Sequence, residues 1–409
     1  MAYGLLPLLT RLSNTLQKAN SHNNSALKIV IATGELSGEI HAYHLVKALG
    51  KLLHIDFSGM GSTRLREAGV RIVYDYSNIS VTGISEIFGK LKYIREAYSI
   101  MKRHIIRENP SLLILVDFPG FNLKLAKFAK ANGLPVIYFI PPQVWAWRKS
   151  RIHKIRDRVS KVLCILPFEK KLYEEYGIDA TFVGHPFLNT VKPSFSKAEF
   201  YQKVGVEPKG TVITILPGSR QNEVNKHMPI LLSVITKLEQ HIPNSAILLP
   251  LAENIDFRLA QKHLTESPMV KVFKGLSYDA MAHCDIAIAA SGSVTLEAAL
   301  LGTPTIVIYK ISHFSYFLAK MLVNVKYISL PNIIANREVF PEFIQQLDPE
   351  KIAEEALDML KNGRESINDD IKTIRDQFGS FDSYQRAKDE IILFLEHIYG
   401  TLPKAPSVR

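Results

Sequence analysis

The feature that most limits how this chain can fold is a unit that recurs along it. Each copy has a short apolar run without polar alternation, a turn of glycine and small polar residues, and then a helical pattern. The clearest copy is Asp285-Ile-Ala-Ile-Ala-Ala-Ser291-Gly292-Ser293-Val-Thr295-Leu-Glu297, closed by Gly302-Thr-Pro304 before the apolar run Thr305 to Ile308. It reads as strand, loop, helix, strand. Runs that stay apolar throughout suit strands buried on both faces, so parallel sheets covered by helices are expected.

The same unit recurs from Lys28. Lys28 to Thr33 reads as a strand, Gly34-Glu35-Leu36-Ser37-Gly38-Glu39 as a tight turn and His41 to Leu49 as a helix. Further strands are expected at Ile55 to Ser58, Ile72 to Tyr74, Leu112 to Val116, Val136 to Phe139, Val162 to Leu166 and Thr181 to Val183. Charged, turn-rich sequence from Lys192 to Lys209 follows, and then the alternation restarts. Thr211 to Leu216 runs into Pro217-Gly218-Ser219-Arg220, with later strands at Ala246 to Pro250, Val270 to Phe273, Ile286 to Ala289 and Thr305 to Ile308. Pro349 to Lys361 and Ser383 to Tyr399 read as closing helices. The fold class is therefore α/β, with two doubly wound, Rossmann-like domains expected to face one another across a cleft. The expected divisions are an N-terminal extension over 1–27, a first domain over 28–190, a second over 191–380, and a C-terminal helix and tail over 381–409.

A chain of 409 residues exceeds one ordinary core, and 47% apolar with 22% charged residues is a globular composition, so most of it should fold. Its first residues lack a basic n-region and a cleavage pattern, so a signal peptide is not expected, and no apolar run is long enough to cross a bilayer. Cys164 and Cys284 are far apart, each in an apolar run, and read as buried free thiols in a reducing cytosol. The net charge of +11 calls for an anionic partner. Zinc-finger spacing, RNP-like runs and basic-aromatic repeats are absent from the sequence, which argues against nucleic acid.

Several turns carry candidate chemistry. The backbone N–H groups around Ser291, Gly292, Ser293 and Thr295 start a helix and suit a diphosphate, and Glu297 in the first turn could accept from a ribose diol. The same residues could simply cap the helix and complement its dipole. Arg220 directly follows a strand, where its fork of donors could hold a phosphate, or it could be a surface cation. Asp117 lies at the carboxyl end of an apolar strand and could take a proton from an attacking hydroxyl, or it could cap a helix. Val81, Ile84, Ile87, Phe88 and Leu91 keep helical spacing beside Lys90, Lys92 and Arg95; such a stripe either lies on an anionic membrane or packs into a core. Seven Lys or Arg between 148 and 161, beside Trp145 and Trp147, suit phosphate and interface contact or form a solvated basic helix.

Taken together these stretches resemble the lipid-A-disaccharide synthases, two-domain glycosyltransferases of the GT-B type. The resemblance runs from about Lys28 to the last helix. It is carried by Gly34-Glu-Leu-Ser-Gly-Glu39, Val81-Thr-Gly-Ile-Ser-Glu86, Pro141-Pro-Gln-Val-Trp-Ala-Trp-Arg148, Leu166-Pro-Phe-Glu169, Val183-Gly-His-Pro186, Leu216-Pro-Gly-Ser-Arg-Gln-Asn-Glu-Val224, Ala290-Ser-Gly-Ser-Val-Thr-Leu-Glu297 and Ser329-Leu-Pro-Asn332.

The resemblance implies transfer of 2,3-diacylglucosamine from UDP to the 6-hydroxyl of 2,3-diacylglucosamine 1-phosphate (lipid X), with inversion, giving a β-1,6 disaccharide and UDP. It implies no cofactor and no required metal, and a peripheral place on the cytoplasmic face of the inner membrane of a Gram-negative cell. It makes Asp117 the candidate general base and Arg220 the group that stabilises the leaving UDP. Glu35, Ser37, Ser291, Gly292, Ser293, Thr295, Glu297 and Asn332 become substrate-binding candidates, and Val81, Ile84, Ile87, Phe88 and Leu91 a membrane or acyl contact. The oligomeric state stays open, a homodimer included.

Leu36 and Glu39 depart from the family's usual Ala and Asp, and Gly120 stands where some members carry a second Asp. The N-terminal arm has no counterpart. A UDP-N-acetylglucosamine 2-epimerase is the competing enzyme, and an idle sugar-nucleotide or membrane-surface binder the competing non-enzyme.

Overall fold

The structure, a computed structural model, describes residues 26–77, 87–146, 149–207, 210–256, 269–311 and 326–405, with backbone alone at 87–90 and 363–366. Val81, Ile84, Trp147, Arg148 and the N-terminal arm to residue 25 lie outside these.

Described residues fall into two compact units, divided between Pro186 and Phe187. Residues from Phe381 onward belong to the first unit, and Phe187–Ser380 to the second. The first unit is built on seven strands: β1 (Leu27–Ala32), β2 (Ile55–Gly61), β3 (Arg71–Asp75), β4 (Leu112–Val116), β5 (Val136–Phe139), β6 (Lys161–Cys164) and β7 (Ala180–Phe182). Their order in the sheet is β3-β2-β1-β4-β5-β6-β7, every pair parallel.

Alternate residues of these strands feed opposite faces. Val30, Ala32, Leu113 and Leu115 join one buried cluster, under helices Ile87–Glu108, Pro119–Ala131 and Arg151–Arg158. Leu27, Ile29, Ile31, Leu112, Ile114 and Val116 join the other, under Leu36–Gly50 and the last helix, Ser383–Tyr399. Burial on both faces is the physical reason these strands are continuously apolar. The last helix contributes Tyr384, Ala387, Ile391, Leu395 and Tyr399 to that second cluster, and the Tyr399 hydroxyl donates to the Ser111 carbonyl at 2.8 Å. The segment after it pairs Lys404 with Leu53.

The second unit holds a six-stranded parallel sheet of β8 (Val212–Leu216), β9 (Ala246–Leu251), β10 (Val270–Lys274), β11 (Ile286–Ala290), β12 (Thr305–Tyr309) and β13 (Glu342–Ile344), in the order β10-β9-β8-β11-β12-β13. Helix Gln221–His241 presents Val224, Met228, Leu231, Val234, Ile235 and Leu238 to its core. That is the i, i+4, i+7 spacing of one apolar stripe.

Every strand expected from the sequence is present. Several elements were not expected. Helix Lys197–Val204 forms inside the stretch read as charged and turn-rich, its start capped by Ser196 and Glu199; the edge strand β13 is three residues long and only half-buried; and helix Arg364–Phe378, which buries Ile371, Ile374 and Phe378, was not singled out. The stripe expected over 81–95 is helical from Ile87 and runs on to Glu108. Within it Leu91 is exposed, while Ile94 packs against the core.

In each sheet the chain reverses its direction of travel at one place: between β1 and β4, and between β8 and β11. Connections leave on opposite faces there, which opens a crevice at the carboxyl ends of the strands.

The first sheet tolerates no side chain at Gly59. Its φ is +152°, and a Cβ there would sit 1.9 Å from the Ile31 carbonyl oxygen on the neighbouring strand. Gly59→Ala must therefore prise β1 from β2, and a loss of about 3 kcal/mol or more of stability is expected. Urea unfolding of the variant against the parent checks it.

Candidate active site

At the first reversal point, β4 ends and the backbone turns sharply. Asp117 and Phe118 both adopt left-handed conformations, with φ of +49° and +46°. Phe118 then starts helix Pro119–Ala131 without a side-chain cap. A left-handed residue other than glycine costs roughly 1–2 kcal/mol, so two in succession need restraint from outside. The Asp117 carbonyl supplies it by accepting from the Tyr138 hydroxyl and the Asn122 amide, both at 2.7 Å. Buried bonds of this kind are worth about 1 kcal/mol each, enough to offset much of that cost. The Asp117 side chain is half-buried, and desolvation raises its carboxyl above the ordinary range against an opposing hydrogen bond from the Phe118 N–H.

The turn after β1 lies against this bend. A Cβ on Gly38 would stand 2.5 Å from Thr33 Oγ1 and 3.4 Å from Asp117 Cβ, so only glycine lets the two approach so closely. Glu35 and Ser37 are exposed at this edge. Glu39 is not a binding group. It is buried, and it accepts from the Ser62 N–H (2.6 Å), the Leu65 N–H (3.2 Å) and the Tyr76 hydroxyl (2.7 Å). It holds the short helix Thr63–Glu67 to the sheet.

At the second reversal point a cavity of about 560 Å³ opens above β8, β9 and β11. The turn after β8 brings Ser219 and Arg220, and the turn after β11 brings Ser291, Gly292, Ser293 and, one helical turn on, Glu297. Helix Ser293–Leu301 starts at Gly292 with no side-chain cap, so its first N–H groups are presented to the cavity with the positive end of the helix dipole. Arg220 is 79% exposed and is held by Glu223, whose Oε1 accepts from the guanidinium at 2.9 Å while Oε2 accepts from the Ser219 and Arg220 N–H groups. An exposed pair of this kind is weak, so the guanidinium is free to exchange Glu223 for an anionic ligand.

Glu297 differs from an ordinary surface carboxyl. Burial raises it to about 7, against a hydrogen bond from Ser293 Oγ at 3.3 Å.

Two residues expected to bind substrate do not reach the cavity. Thr295 is fully buried and its hydroxyl donates to the Gly292 carbonyl at 2.9 Å, so it braces the turn from within. Asn332 is also fully buried. Its Oδ1 accepts from the Val339 and Phe340 N–H groups, and its Nδ2 donates to the Phe340 carbonyl and to Glu342. With both ends of the amide in use, Asn332 fastens the segment 339–342 rather than facing a cleft.

The sequence reading did not single out Asn122, Tyr138, Glu223, Tyr278 or His227. Tyr278 lines the cavity. His227 is buried beneath the turn after β8, where Nδ1 donates to the Pro217 carbonyl (2.7 Å) and Nε2 accepts from the Lys310 N–H (3.1 Å). That fixes the neutral Nδ1–H tautomer, and burial lowers its affinity for a second proton. Of these, only Glu223 had a usable signal, as an acid three residues after a strand-to-helix turn. Among the described residues no group of three or more His, Cys, Asp and Glu is gathered to hold a metal.

Comparison with known proteins shows the family and the fold. The family model described as lipid-A-disaccharide synthetase matches residues 29–392. The lipid-A-disaccharide synthase of Syntrophus aciditrophicus is 40% identical over 370 residues, covering 89% of this chain and 96% of that relative. Among solved structures, a UDP-N-acetylglucosamine 2-epimerase, so described provisionally, from Listeria monocytogenes superposes with a TM-score of 0.61 at 14% identity, over 94% of this chain and all of that one. The calicheamicin glycosyltransferase CalG4 does so with a TM-score of 0.61 at 14% identity, over 91% of this chain and 99% of that one. These structural likenesses carry the architecture alone.

The raised Glu297 carboxyl gives a pH signature. Below about pH 4.5 the group is neutral whether folded or unfolded and costs nothing. Between about 4.5 and 7 the unfolded chain releases the proton while the folded protein keeps it, so stability falls as pH rises through that window. Glu297→Gln should match the parent in urea unfolding near pH 4 and exceed it progressively up to pH 8.

Proposed function

Because this chain belongs to the lipid-A-disaccharide synthase family and is a glycosyltransferase, we propose that it joins two diacylated glucosamines. The donor is UDP-2,3-diacylglucosamine, and the acceptor hydroxyl is the 6-hydroxyl of 2,3-diacylglucosamine 1-phosphate. The observation that carries this reading is the cavity at the β8/β11 reversal, where Arg220 and an uncapped helix N-terminus line the same space as Glu297.

In this reading the diphosphate of UDP lies on the N–H groups of Gly292 and Ser293, the Ser291 N–H being donated to the Ile308 carbonyl, and Glu297 accepts from the ribose diol. Asp117 takes the proton from the 6-hydroxyl as its oxygen attacks the anomeric carbon, and UDP leaves from the opposite face, so the configuration inverts. Burial suits Asp117 to this task, since a carboxyl above its ordinary range is the stronger base. Arg220 neutralises the charge that collects on the leaving diphosphate. Glu35 and Ser37, exposed beside Asp117, serve the acceptor.

We also place the protein at the cytoplasmic surface of the inner membrane. Among the described residues no helix is long and apolar enough to cross a membrane. The outer surfaces of two neighbouring helices of the first unit are strongly basic. Lys124, Lys127 and Lys130 project from Pro119–Ala131, and Arg103 and Arg107 from Ile87–Glu108, where Ile106 is 58% exposed and Leu91 45% exposed. Cations around exposed apolar side chains suit an anionic bilayer surface.

Incubation of the protein with both sugars in detergent and EDTA, followed by mass spectrometry, tests the reaction; a tetraacyl disaccharide phosphate with matching UDP release is expected, and neither product from folded protein would overturn the reading. Arg220→Ala should lower kcat at least a hundredfold, from a barrier increase of about 2.7–4 kcal/mol. Asp117→Asn should cost about 10²- to 10⁴-fold while UDP binding is retained. For the membrane, each lysine near an anionic surface contributes about 1 kcal/mol. Lys124→Glu, Lys127→Glu and Lys130→Glu together should cut partitioning onto phosphatidylglycerol vesicles at least about a hundredfold, with binding to neutral vesicles unchanged.

A further inference from the structure

We propose that Tyr138 and Asn122 are positioning residues for the Asp117 side chain: by clamping one backbone carbonyl they fix the left-handed bend that aims the carboxylate at the acceptor hydroxyl. This rests on the reading of Asp117 as the base.

Three observations carry it. First, the bend has no local cause. Aspartate enters the left-handed region with modest cost, but a following phenylalanine does not, and both residues are there. The Asp117 carbonyl between them is the atom that takes both buried donors, Tyr138 Oη and Asn122 Nδ2.

Second, the tyrosine hydroxyl is not what packing alone requires. Tyr138 is fully buried on β5, in register with Leu115 on β4, and its ring belongs to the apolar cluster. A phenylalanine would fill the same space without the cost of burying a hydroxyl. What the hydroxyl gains is the bond to the Asp117 carbonyl, beside the Asn122 amide that shares it.

Third, Asn122 is an uneconomical way to build a core. Its Nδ2 lies within 3.3 Å of the Ala32, Val116 and Asp117 carbonyls, gathering the ends of β1 and β4, while its Oδ1 is buried without a partner. An amide half-unpaired in the interior is retained for what the other half holds. Tyr138 and Asn122 thus converge on Asp117 from the next strand and from the following helix. Neither touches the reacting atoms in this arrangement; both act through where the carboxylate is carried.

Tyr138→Phe is the decisive variant, because it removes one oxygen and leaves the ring packing. It should lower kcat about tenfold, leave KM for both sugars within about twofold, and leave the thermal midpoint within a few degrees. A bend released from its clamp lets the Asp117 carboxyl move toward water, so the acid limb of the pH profile of kcat should move to lower pH, a change that a merely structural hydroxyl would not produce. In the Asp117→Asn background the same substitution should alter residual kcat less than twofold, since both changes act through one carboxylate. Asn122→Ala, with two further carbonyls released, should lower kcat more and shift the acid limb the same way; Asn122→Gln, which keeps the donor, should recover part of it.

If Tyr138→Phe keeps the parental kcat and pH profile while Asp117→Asn is crippled, the positioning role is wrong and the base assignment stands. If the two losses multiply in the double variant, Tyr138 acts elsewhere and the inference falls. If Asp117→Asn turns over normally, the base reading fails, and this inference with it.

Discussion

Pairing of parallel strands across the two reversal points, β1 with β4 and β8 with β11, is the constraint on which everything else in this protein rests. A parallel sheet delivers every strand's carboxyl end to one edge, and every following helix then begins at that edge with unpaired N–H groups and a positive dipole end. Polar groups have to be placed there whether or not they do chemistry, because the backbone demands partners. The chain meets this demand twice, with Asp117 beside the turn 34–39 in one unit and with Arg220, Ser291, Ser293 and Glu297 around a cavity in the other.

What separates the groups available to a ligand from those spent on the fold is whether their hydrogen bonds are already made. Glu39, His227 and Asn332 are buried and carry several short bonds apiece, so each fastens one loop. Arg220 and Glu297 are held lightly. One is itself exposed and has a carboxylate partner in Glu223, and the other is a carboxyl that burial raises to about 7. A diphosphate would replace the former's partner, and a ribose diol would give the latter donors that favour its ionised form.

Much of the architecture was legible in the sequence, for a physical reason. Strands covered on both faces must be apolar at every position, so runs such as Leu112 to Val116 and Ile286 to Ala290 cannot be mistaken for surface. The missed strand β13 lies at an edge and is three residues long, too short for any period to show. Motif spacing was informative about which residues stand at the turns, and the structure gathers five of them, Arg220, Ser291, Gly292, Ser293 and Glu297, round one cavity. It was uninformative about where side chains point. Thr295 is two residues before Glu297 on the same helix, yet one faces the core and the other the cavity. Asn332 looked available because nothing in its neighbours announces the partners at 339–342. Tyr138 was unreadable for a similar reason, since its hydroxyl bonds the Asp117 carbonyl in the bend after β4, a partner that leaves no trace in local sequence.

The return of the last helix to the first unit has a consequence for how the protein is made. The helix Ser383–Tyr399 completes one face of a sheet whose first strand begins at Leu27, and the whole second unit is synthesised in between. On the ribosome, the half of the protein that emerges first is therefore the half that finishes last: the second unit has all its residues once Ser380 is clear of the exit tunnel, while the face formed by Ile29, Ile31 and Ile114 has only helix Leu36–Gly50 over it until residues 381–409 follow. A premature stop in that final stretch would spare the cavity of the second unit and expose part of the core of the unit that holds Asp117.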